Sequence, residues 1–468
     1  MVKEDTKVLL GFVPIGKFCF SHEDALKQKQ TIEQVLKDLN IAYVGLDFVI
    51  ADGIVRSDDD AEKVIHYFKT LAPEQKPDAL FLPHCNFGTE TAVGILARAL
   101  GIPVLLWGSQ DEAPLQDGTR LRDSLCGVLA SSKVLQNCDV PFTYIPNCFP
   151  CDAVFSLRLT EFVHMVAVVR RFKKGMRIGI IGNRLPFFQC TMVNEQELLQ
   201  KFGITVVPVN LLRVAQAIRV AEAEKTDAYH RELAQLRDKV DFSTMPLVSM
   251  VRVLAFRDVL LDLAKTLNLD GLTVENIMEL TKEMGVHLVY ALAAVTEAGI
   301  PAVIESDIHG VISSVLLQSA TLDTQPTFFM DITVRHPHNR NGFLLWHNSA
   351  PLALKDPACI NPSIGEHWTM PGIEPGVCNW KLKDDHVTIA RFERGKNGYS
   401  LLSFKVNSIP GPYTRNTYVW VESENWETLE QKIVYGPYLH HVACIYDDVT
   451  AILQEACKYI PSLIFDPL

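Results

Sequence analysis

The sequence predicts an α/β protein of two doubly wound domains followed by a smaller, β-rich, barrel-like domain. Three observations lead to this fold class. Strand-like apolar runs alternate with helix-length segments from residue 7 onward, the alternation restarts near residue 174, and prolines and glycines cluster between short strand-like runs after about residue 340. A chain of 468 residues also has room for about three domains. We therefore expect domains over residues 1–173, 174–340 and 341–468.

The first domain should contain a parallel sheet. A strand-like run begins at Lys7, and Ser21 is a candidate N-cap for an amphipathic helix that ends near Leu39. Strands and helices are then expected in turn over residues 42–48, 59–71, 79–82, 89–100 and 103–107. Strands that alternate with helices of this length are typical of flavodoxin-like or Rossmann-like sheets.

The second and third domains differ in the pattern of elements that their sequences predict. A helix that starts near Glu161 ends in a basic turn followed by Gly175, which is a typical helix stop. The strand–helix pattern restarts at Met176, with elements expected over residues 194–202, 205–208, 213–240 and 245–268. The third domain should contain strands over residues 386–392 and 398–406 and a closing helix over residues 449–459, a pattern typical of a mostly antiparallel β domain.

Composition excludes several classes of function. The formal net charge of −11 argues against a nucleic-acid partner, which would require a basic face. The 11 cysteines are mostly scattered, and the close pair Cys148 and Cys151 has no second pair at zinc-ribbon spacing, so reduced thiols and a reducing compartment are expected. Without an apolar run of 18 residues or a signal-peptide signature, we expect a cytoplasmic protein with no membrane partner.

Three apolar runs of strand length each end on a residue that can bind a metal. The runs that begin at Pro301, Thr327 and Gly342 end on Glu305, Asp331 and His347. Because ligands bind beyond the carboxyl ends of strands in open α/β sheets, we expect these side chains to meet. Glu305 and Asp331 are 26 residues apart, so a helix over 308–320 would place them on adjacent parallel strands.

Histidines near the C-terminus could complete such a site. His440 and His441 precede a strand-like run, and only one of them should face a given site because adjacent residues of an extended chain point in opposite directions. Oxygen donors combined with an imidazole suit a hard or borderline divalent cation, Mn²⁺ before Zn²⁺, although other divalent ions remain alternatives. A metal there could stabilise an enediolate while a carboxylate moves a proton between carbons.

Other strand ends carry weaker signals. The turn at Asn86 could bind a ligand at a helix N-terminus or could be an ordinary connection. Trp107 could stack on a sugar or could be a packing residue. Asp307 and His309 could support metal ligands or could cap the following helix. The run from Gly179 to Gly182 has only half of a dinucleotide-binding fingerprint.

The chain as a whole resembles the L-fucose isomerase and L-arabinose isomerase superfamily, in its shorter fucose-isomerase-like branch. The resemblance covers essentially the whole length and rests on the order and spacing of several short stretches. These stretches are Asn86-Phe-Gly-Thr-Glu, Pro103-Val-Leu-Leu-Trp-Gly, Asp111-Glu112-Ala113-Pro114, Arg120-Leu-Arg-Asp-Ser-Leu-Cys-Gly, Gly182-Asn-Arg-Leu-Pro-Phe-Phe, Glu305-Ser-Asp-Ile-His-Gly, Phe329-Met-Asp331, His347-Asn-Ser and His440-His441-Val.

The resemblance implies an aldose–ketose isomerase acting on a pentose, a deoxyhexose or a modified hexose. It implies that Glu305, Asp331 and His441 bind Mn²⁺, and that the two carboxylates are the acid/base pair of a reaction through a cis-enediol. The arabinose branch uses a further histidine ligand, which matches His347. The resemblance also implies a homo-oligomer, often hexameric, with the site near a subunit boundary where Trp107 could stack on sugar bound by a neighbour.

Two departures concern the pocket. The family often has arginine near the first strand end, where this chain has Lys17, and a glycine-rich turn where this chain has residues 185–188. We expect Lys17, Asn86, Trp107, His347 and His440 to contact substrate. Two rival hypotheses are a sugar-binding or regulatory protein without turnover and a nicotinamide-dependent oxidoreductase.

Overall fold

The computed structural model describes residues 7–275, 279–366 and 374–468, and the chain divides into two compact units at residue 170. The structure contains parallel sheets with intervening helices and one large sheet of mixed strand direction, which confirms the α/β class. The expected boundaries of three domains stay a prediction. None of the described helices combines the length and apolar character needed to cross a bilayer.

Residues 7–170 form a unit around a five-stranded parallel sheet in the strand order β2-β1-β3-β4-β5. Its elements are β1 (Leu9–Phe12), α1 (His22–Asp38), β2 (Ala42–Val44), α2 (Asp58–Thr70), β3 (Ala79–His84), α3 (Glu90–Leu100), β4 (Val104–Gly108), α4 (Ser124–Asn137), β5 (Thr143–Tyr144) and most of α5 (Ala153–Lys174). The predicted cap of α1 is confirmed, because the Ser21 hydroxyl accepts a hydrogen bond from the Asp24 amide across 3.1 Å. The central strand β3 is buried throughout, as expected for a strand covered on both faces.

Residues 171–468 contain a second parallel sheet in the order β7-β6-β8-β9. Its elements are β6 (Arg177–Ile181), α6 (Glu195–Phe202), β7 (Thr205–Val209), α7 (Leu211–Leu236), α8 (Leu247–Thr266), β8 (Gly271–Val274), α9 (Glu279–Met284), α10 (Val289–Glu297), β9 (Ala302–Ile304) and α11 (Ile308–Ala320). The chain turns to opposite sides of β6 when it enters β7 and β8, so the crevice beyond β6 and β8 is a topological switch point.

The same unit contains a nine-stranded sheet and two further helices. The strands are β10 (Phe328–Arg335), β11 (Gly342–His347), β12 (Ser363–Gly365), β13 (Val377–Lys381), β14 (His386–Gly395), β15 (Gly398–Ser408), β16 (Thr417–Glu422), β17 (His441–Ile445) and β18 (Leu463–Pro467), and the helices are α12 (Trp426–Tyr435) and α13 (Thr450–Cys457). The antiparallel pairings run β16-β11-β10-β17-β14-β15, and β15 pairs again with β16, so these six strands close into a ring. Closure of this kind leaves the ring without free edges.

The helix α11 lies between the two sheets of this unit. All 13 of its residues are buried, and it packs against β8 and β9 of the parallel sheet and β14 and β17 of the larger one. A helix that is buried on every side requires such surroundings. Its bounds are the predicted ones, and Asp307 caps it by accepting a hydrogen bond from the Gly310 amide across 2.8 Å.

One expectation about these strands is wrong. Glu305 follows β9 of the parallel sheet, but Asp331 lies inside β10, which pairs antiparallel with β11 and β17. The two carboxylates therefore do not end adjacent parallel strands. An apolar run indicates a buried strand, but it does not identify the partner or the direction of pairing, and α11 carries the chain into a different sheet.

Candidate metal centre

Glu305 occupies a tight turn between β9 and α11. Its backbone φ of +68° and that of Ser306, +57°, both lie in the left-handed region, which residues other than glycine rarely adopt. The turn is held by a hydrogen bond from the Glu305 amide to the Val274 carbonyl, 3.0 Å, and by one from the Ser306 hydroxyl to the Asn183 carbonyl, 3.0 Å. Consecutive strained residues of this kind cluster at functional sites.

Asp331 lies at the centre of the site because of strand register. It pairs directly with His441 of β17 and with Trp346 of β11. Its Oδ1 atom is 3.7 Å from Nε2 of His441 and 3.8 Å from Nε2 of His347, and Nε2 of His441 is 3.1 Å from Oε2 of Glu305. The structure thus brings together all four residues that the sequence selected on these elements.

The donor atoms at this centre fit a divalent cation. Asp331 Oδ1 and His347 Nε2 are buried and make no hydrogen bond within the described part of the chain, and the buried Nε2 of His441 faces Oε2 of Glu305 across 3.1 Å. Buried polar atoms normally have a partner, so two unpaired atoms beside this contact call for an explanation. Ligands held about 2.1 Å from one ion lie about 3–4 Å from each other, which is the spacing seen here.

The ring of His441 is oriented by a carboxylate. Its Nδ1 donates a hydrogen bond to Oδ2 of Asp307 across 2.9 Å, which leaves Nε2 with a lone pair toward Glu305 and Asp331. Burial alone would lower the pKa of His441, but its bonds to Asp307 and Glu305 and the charge of Asp331 raise that pKa to about 10. The carboxylates therefore favour a positive charge at this position, which a divalent cation would supply.

The Asp307 carboxylate belongs to a buried chain of charged groups. Burial would raise its pKa, but the charge of Arg391 and the hydrogen bond from His441 hold the pKa of Asp307 well below its usual range. Arg391 also donates to Glu393, and Glu393 accepts a hydrogen bond from Nδ1 of His309 across 2.6 Å. Sequence reasoning missed Arg391 and Glu393, whose one signal was the presence of charged residues in a strand that is largely buried.

His440 also reaches the centre. Its ring centroid lies 4.3 Å from that of His441, and ligand atoms of Asp331, His440 and His441 lie within 4.8 Å of one another. The expectation that only one of the two histidines could face the site is wrong, because His440 occupies a bend before β17 rather than the strand itself. Part of the His440 side chain reaches solvent, while its surroundings partly desolvate the ring, and this desolvation together with the charge of His441 lowers the pKa of His440.

His347 has two contacts that require opposite tautomers. Its Nδ1 accepts a hydrogen bond from the Asn348 amide across 2.9 Å and lies 3.0 Å from the Asn348 side-chain oxygen. A neutral ring that accepts at Nδ1 carries its proton on Nε2 and would donate to substrate, whereas a proton on Nδ1 frees Nε2 as a metal ligand. His347 can therefore fill either role, according to which contact holds the proton.

Lys17 and Asn86 lie together in the unit formed by residues 7–170. The side-chain oxygen of Asn86 accepts hydrogen bonds from the amides of Lys17, 2.8 Å, and Gly88, 3.2 Å. The Lys17 ammonium lies 3.3 Å from Oε2 of Glu90 and 4.4 Å from the ring centroid of Phe87. Asn86 therefore fixes the loop that carries Lys17, and contact of either residue with substrate stays a prediction.

Trp107 is placed in the interior of the same unit. Its side chain is fully buried, and its ring centroid lies 4.4 Å from that of Phe155. Stacking on a sugar stays a prediction for this residue, and the ring would first have to become accessible.

A cavity of about 830 Å³ occupies the switch point of the second parallel sheet. Its lining residues are Gly182, Asn183, Arg184, Leu185, Pro186, Phe187, Pro208, Val209, Asn210, Leu211, Leu212, Glu275 and Glu279. The following residue of this loop, Phe188, packs edge-on against His441 at 5.9 Å between ring centroids. The cavity therefore shares a loop with the candidate metal centre, and its volume falls in the range of small-molecule sites.

Glu275 is a residue that sequence reasoning missed. It is buried and follows β8, in register beside the turn that carries Glu305. The signal was available, because residues 271–274 form one more short apolar run that ends on a carboxylate.

A family model described as the fucose/sulfoquinovose isomerase N-terminal domain matches residues 11–173. Sulfoquinovose isomerases of Priestia aryabhattai and Priestia megaterium are each 25% identical over 462 residues, which cover 97% of this chain and 97% of theirs. The sulfoquinovose isomerase of Alkalicoccus urumqiensis is 22% identical over 451 residues, with 95% of this chain and 96% of the relative covered.

Among solved structures, an ABC transporter solute-binding protein from Actinobacillus succinogenes with bound D-allose is 12% identical. The alignment covers 67% of this chain and 92% of that one, but its TM-score of 0.17 is too low to carry an argument. The family match to residues 11–173 and the relatives aligned over nearly the whole chain together support the fucose-isomerase-like superfamily of sugar isomerases.

Proposed function

We propose that the protein is a Mn²⁺-dependent aldose–ketose isomerase that works through a cis-enediol. The observation that carries the proposal is the convergence of buried donor atoms from Glu305, Asp331 and His441 around one position. Two carboxylates and at least one imidazole form a donor set suited to Mn²⁺. When bound, the ion would polarise the substrate carbonyl and stabilise negative charge on its oxygen.

The two carboxylates provide the acid/base chemistry. Although burial would raise the pKa of Glu305, the hydrogen bond to His441 and the charge of His347 lower it, so this group is a carboxylate at neutral pH. One carboxylate takes the proton from C2 of the open-chain aldose while O1 gains a proton, which produces the cis-enediol. Return of a proton to C1 and loss of the proton from O2 then complete the ketose.

Histidines at the edge of the site would bind substrate hydroxyls. His440 is exposed beside His441, and His347 is buried beside Asp331. Both can exchange hydrogen bonds with a polyol, because an imidazole offers one donor and one acceptor. The cavity next to Phe188 has room for the carbon chain of a pentose or a hexose.

The substrate class we propose is a pentose, a deoxyhexose or a modified hexose. The relatives that align with nearly the whole chain are sulfoquinovose isomerases, so sulfonated hexoses belong among the first sugars to test. We also propose a cytoplasmic homo-oligomer, with a hexamer favoured, which light scattering at several protein concentrations can check.

The deciding experiment measures ketose formation from a panel of neutral and sulfonated aldoses. Protein stripped of metal with a chelator is assayed with and without added Mn²⁺, and we expect conversion only after Mn²⁺ is restored. Equal conversion without metal would contradict the metal dependence. Tight Mn²⁺ binding without conversion of any sugar would favour a binding protein on the same fold.

The loop after Gly182 argues against the alternative of a nicotinamide-dependent oxidoreductase. In a dinucleotide fold, the glycine-rich turn opens directly into a helix whose N-terminus binds the pyrophosphate. Here Gly182 is followed by an extended loop and a short 3₁₀ turn, and the next α-helix begins only at Glu195.

A further inference from the structure

Arg391 is a buried cation one step removed from the metal ligands. It lies in β14 with no exposed surface, and its Nη1 and Nη2 donate to the two oxygens of Asp307 across 2.6 and 3.2 Å. Its Nε and Nη2 also donate to Oε2 of Glu393 across 3.1 and 2.7 Å. Both carboxylates are buried, so the guanidinium is enclosed on two sides by negative charge.

Stability alone is a weak reason for such an arrangement. Burying ions carries a large desolvation cost, and well-packed apolar residues of similar volume are often equally stabilising or more so. A guanidinium can instead orient its partner, because its two parallel N–H donors fix the plane of the carboxylate that accepts from them. Asp307 is the carboxylate fixed here, and its Oδ2 is the atom that accepts from Nδ1 of His441.

We propose that Arg391 is a positioning residue of the metal centre, which orients Asp307 and thereby directs Nε2 of His441 toward Glu305 and Asp331. The inference rests on the proposed metal site and extends it to a residue on another strand, whose side chain bonds to Asp307 and Glu393 and to none of the proposed ligands. A lysine at this position keeps the charge but cannot hold both oxygens of Asp307 in one plane.

The test compares Arg391→Lys with Arg394→Lys. Arg394 is on the same strand and also makes a two-pronged pair, with Glu197 at 2.6 and 2.9 Å, but that pair is at the surface. Titration calorimetry with Mn²⁺ gives the binding stoichiometry and the dissociation constant separately, and the electron paramagnetic resonance spectrum of bound Mn²⁺ reports the symmetry of its ligands.

We expect Arg391→Lys to weaken Mn²⁺ binding about 10- to 100-fold, the usual effect of losing an outer partner of a metal ligand, and to change the Mn²⁺ spectrum. Arg394→Lys should change neither. A purely structural role would reduce the stoichiometry, as the folded fraction falls, but would leave the dissociation constant and the spectrum unchanged. That result would overturn the inference while the proposed metal site stands.

A second variant covers the case in which Arg391→Lys does not fold. The double change Arg391→Met with Glu393→Gln removes one charge of each sign and keeps similar volumes, and it should also bind Mn²⁺ more weakly than the wild type. Unchanged affinity in this folded variant would contradict the positioning role. Wild-type protein that binds no Mn²⁺ would overturn the metal site and this inference together.

Discussion

Asp307 accepts a hydrogen bond from Nδ1 of His441 across 2.9 Å while its other oxygen caps the first turn of α11. The residue thus links the start of a buried helix to the side chain that opens β17. Because the proton of His441 is held at Nδ1, Nε2 is available as a ligand. The orientation of the His441 imidazole therefore depends on Asp307, the residue that caps α11.

We expect Asp307→Asn to separate these two tasks. Asparagine is as good a helix cap as aspartate, but an amide lacks the charge that pairs with Arg391 and orients His441. Mn²⁺ affinity should fall about 10- to 100-fold, as measured by calorimetry. Asp241→Asn is the control, because Asp241 is exposed and accepts a hydrogen bond from a backbone amide, that of Ser243, across 2.8 Å. Equal Mn²⁺ affinity in the two variants would contradict the role of Asp307.

Glu305→Gln should abolish turnover and leave the fold intact. The change is nearly isosteric, but it removes a carboxylate that both binds the ion and moves a proton, so we expect kcat to fall about 10²- to 10⁴-fold. Steady-state assays with the sugar identified in the panel would measure the loss, and circular dichroism would check folding. Glu430→Gln, a change of an exposed glutamate in α12 of the same unit, should retain kcat. Full activity of Glu305→Gln would refute the mechanism.

The neighbouring histidines should differ in effect. His441 is buried and bonded to Asp307, whereas His440 is exposed at the bend before β17. We expect His441→Gln to raise the Mn²⁺ dissociation constant at least about 10-fold and His440→Gln to raise mainly the KM for sugar. Calorimetry and steady-state kinetics on both variants separate the two parameters. The reverse pattern would make His440 the ligand.

His84 should make the protein sensitive to acid for a reason unrelated to the metal. Its Nδ1 donates to the Phe87 carbonyl across 2.7 Å, and its buried Nε2 makes no hydrogen bond within residues 7–170. Burial lowers the pKa of His84 to about 4. The unfolded chain therefore binds a proton below about pH 6.5 that the folded chain does not, and stability is lost as the pH falls from about 6.5 toward 4.

His84→Gln removes this titration. Between pH 7 and pH 4.5 the wild type should lose roughly 2–3 kcal/mol more unfolding free energy than the variant, as measured by urea unfolding. The control is His66→Gln, because His66 is exposed in α2. Wild type and His84→Gln with parallel pH profiles would show that His84 does not govern the loss.

The sequence predicted what depends on local pattern. The bounds of α11 and the cap at Ser21 follow from apolar periodicity and capping chemistry, which are properties of neighbouring residues. Glu305, Asp331 and His441 could be selected because each adjoins or lies in a buried run. The partner strand of β10 could not be predicted, because pairing is decided by packing between segments far apart in the chain.

The same limit explains the residues that were missed. Arg391 is 84 positions from Asp307, and a charged residue in a strand is normally assigned to its exposed face. The position of Glu275 beside the Glu305 turn could have been anticipated, because residues 271–274 form a short apolar run that ends on it. The tautomer of His347 is a different case, because it depends on where one proton lies between two contacts with Asn348.

Because α11 lies between two sheets, an ion at this site would also stabilise the packing of one sheet layer on the other. Glu305 follows β9 of the parallel sheet, and Asp331 and His441 belong to the closed ring of strands, so a cation bound by all three would link one layer to the other. By mass action, free Mn²⁺ at 1,000 times its dissociation constant would add about 4 kcal/mol to the unfolding free energy of residues 171–468. A low concentration of free metal would then shorten the lifetime of the folded protein and also abolish its catalytic activity.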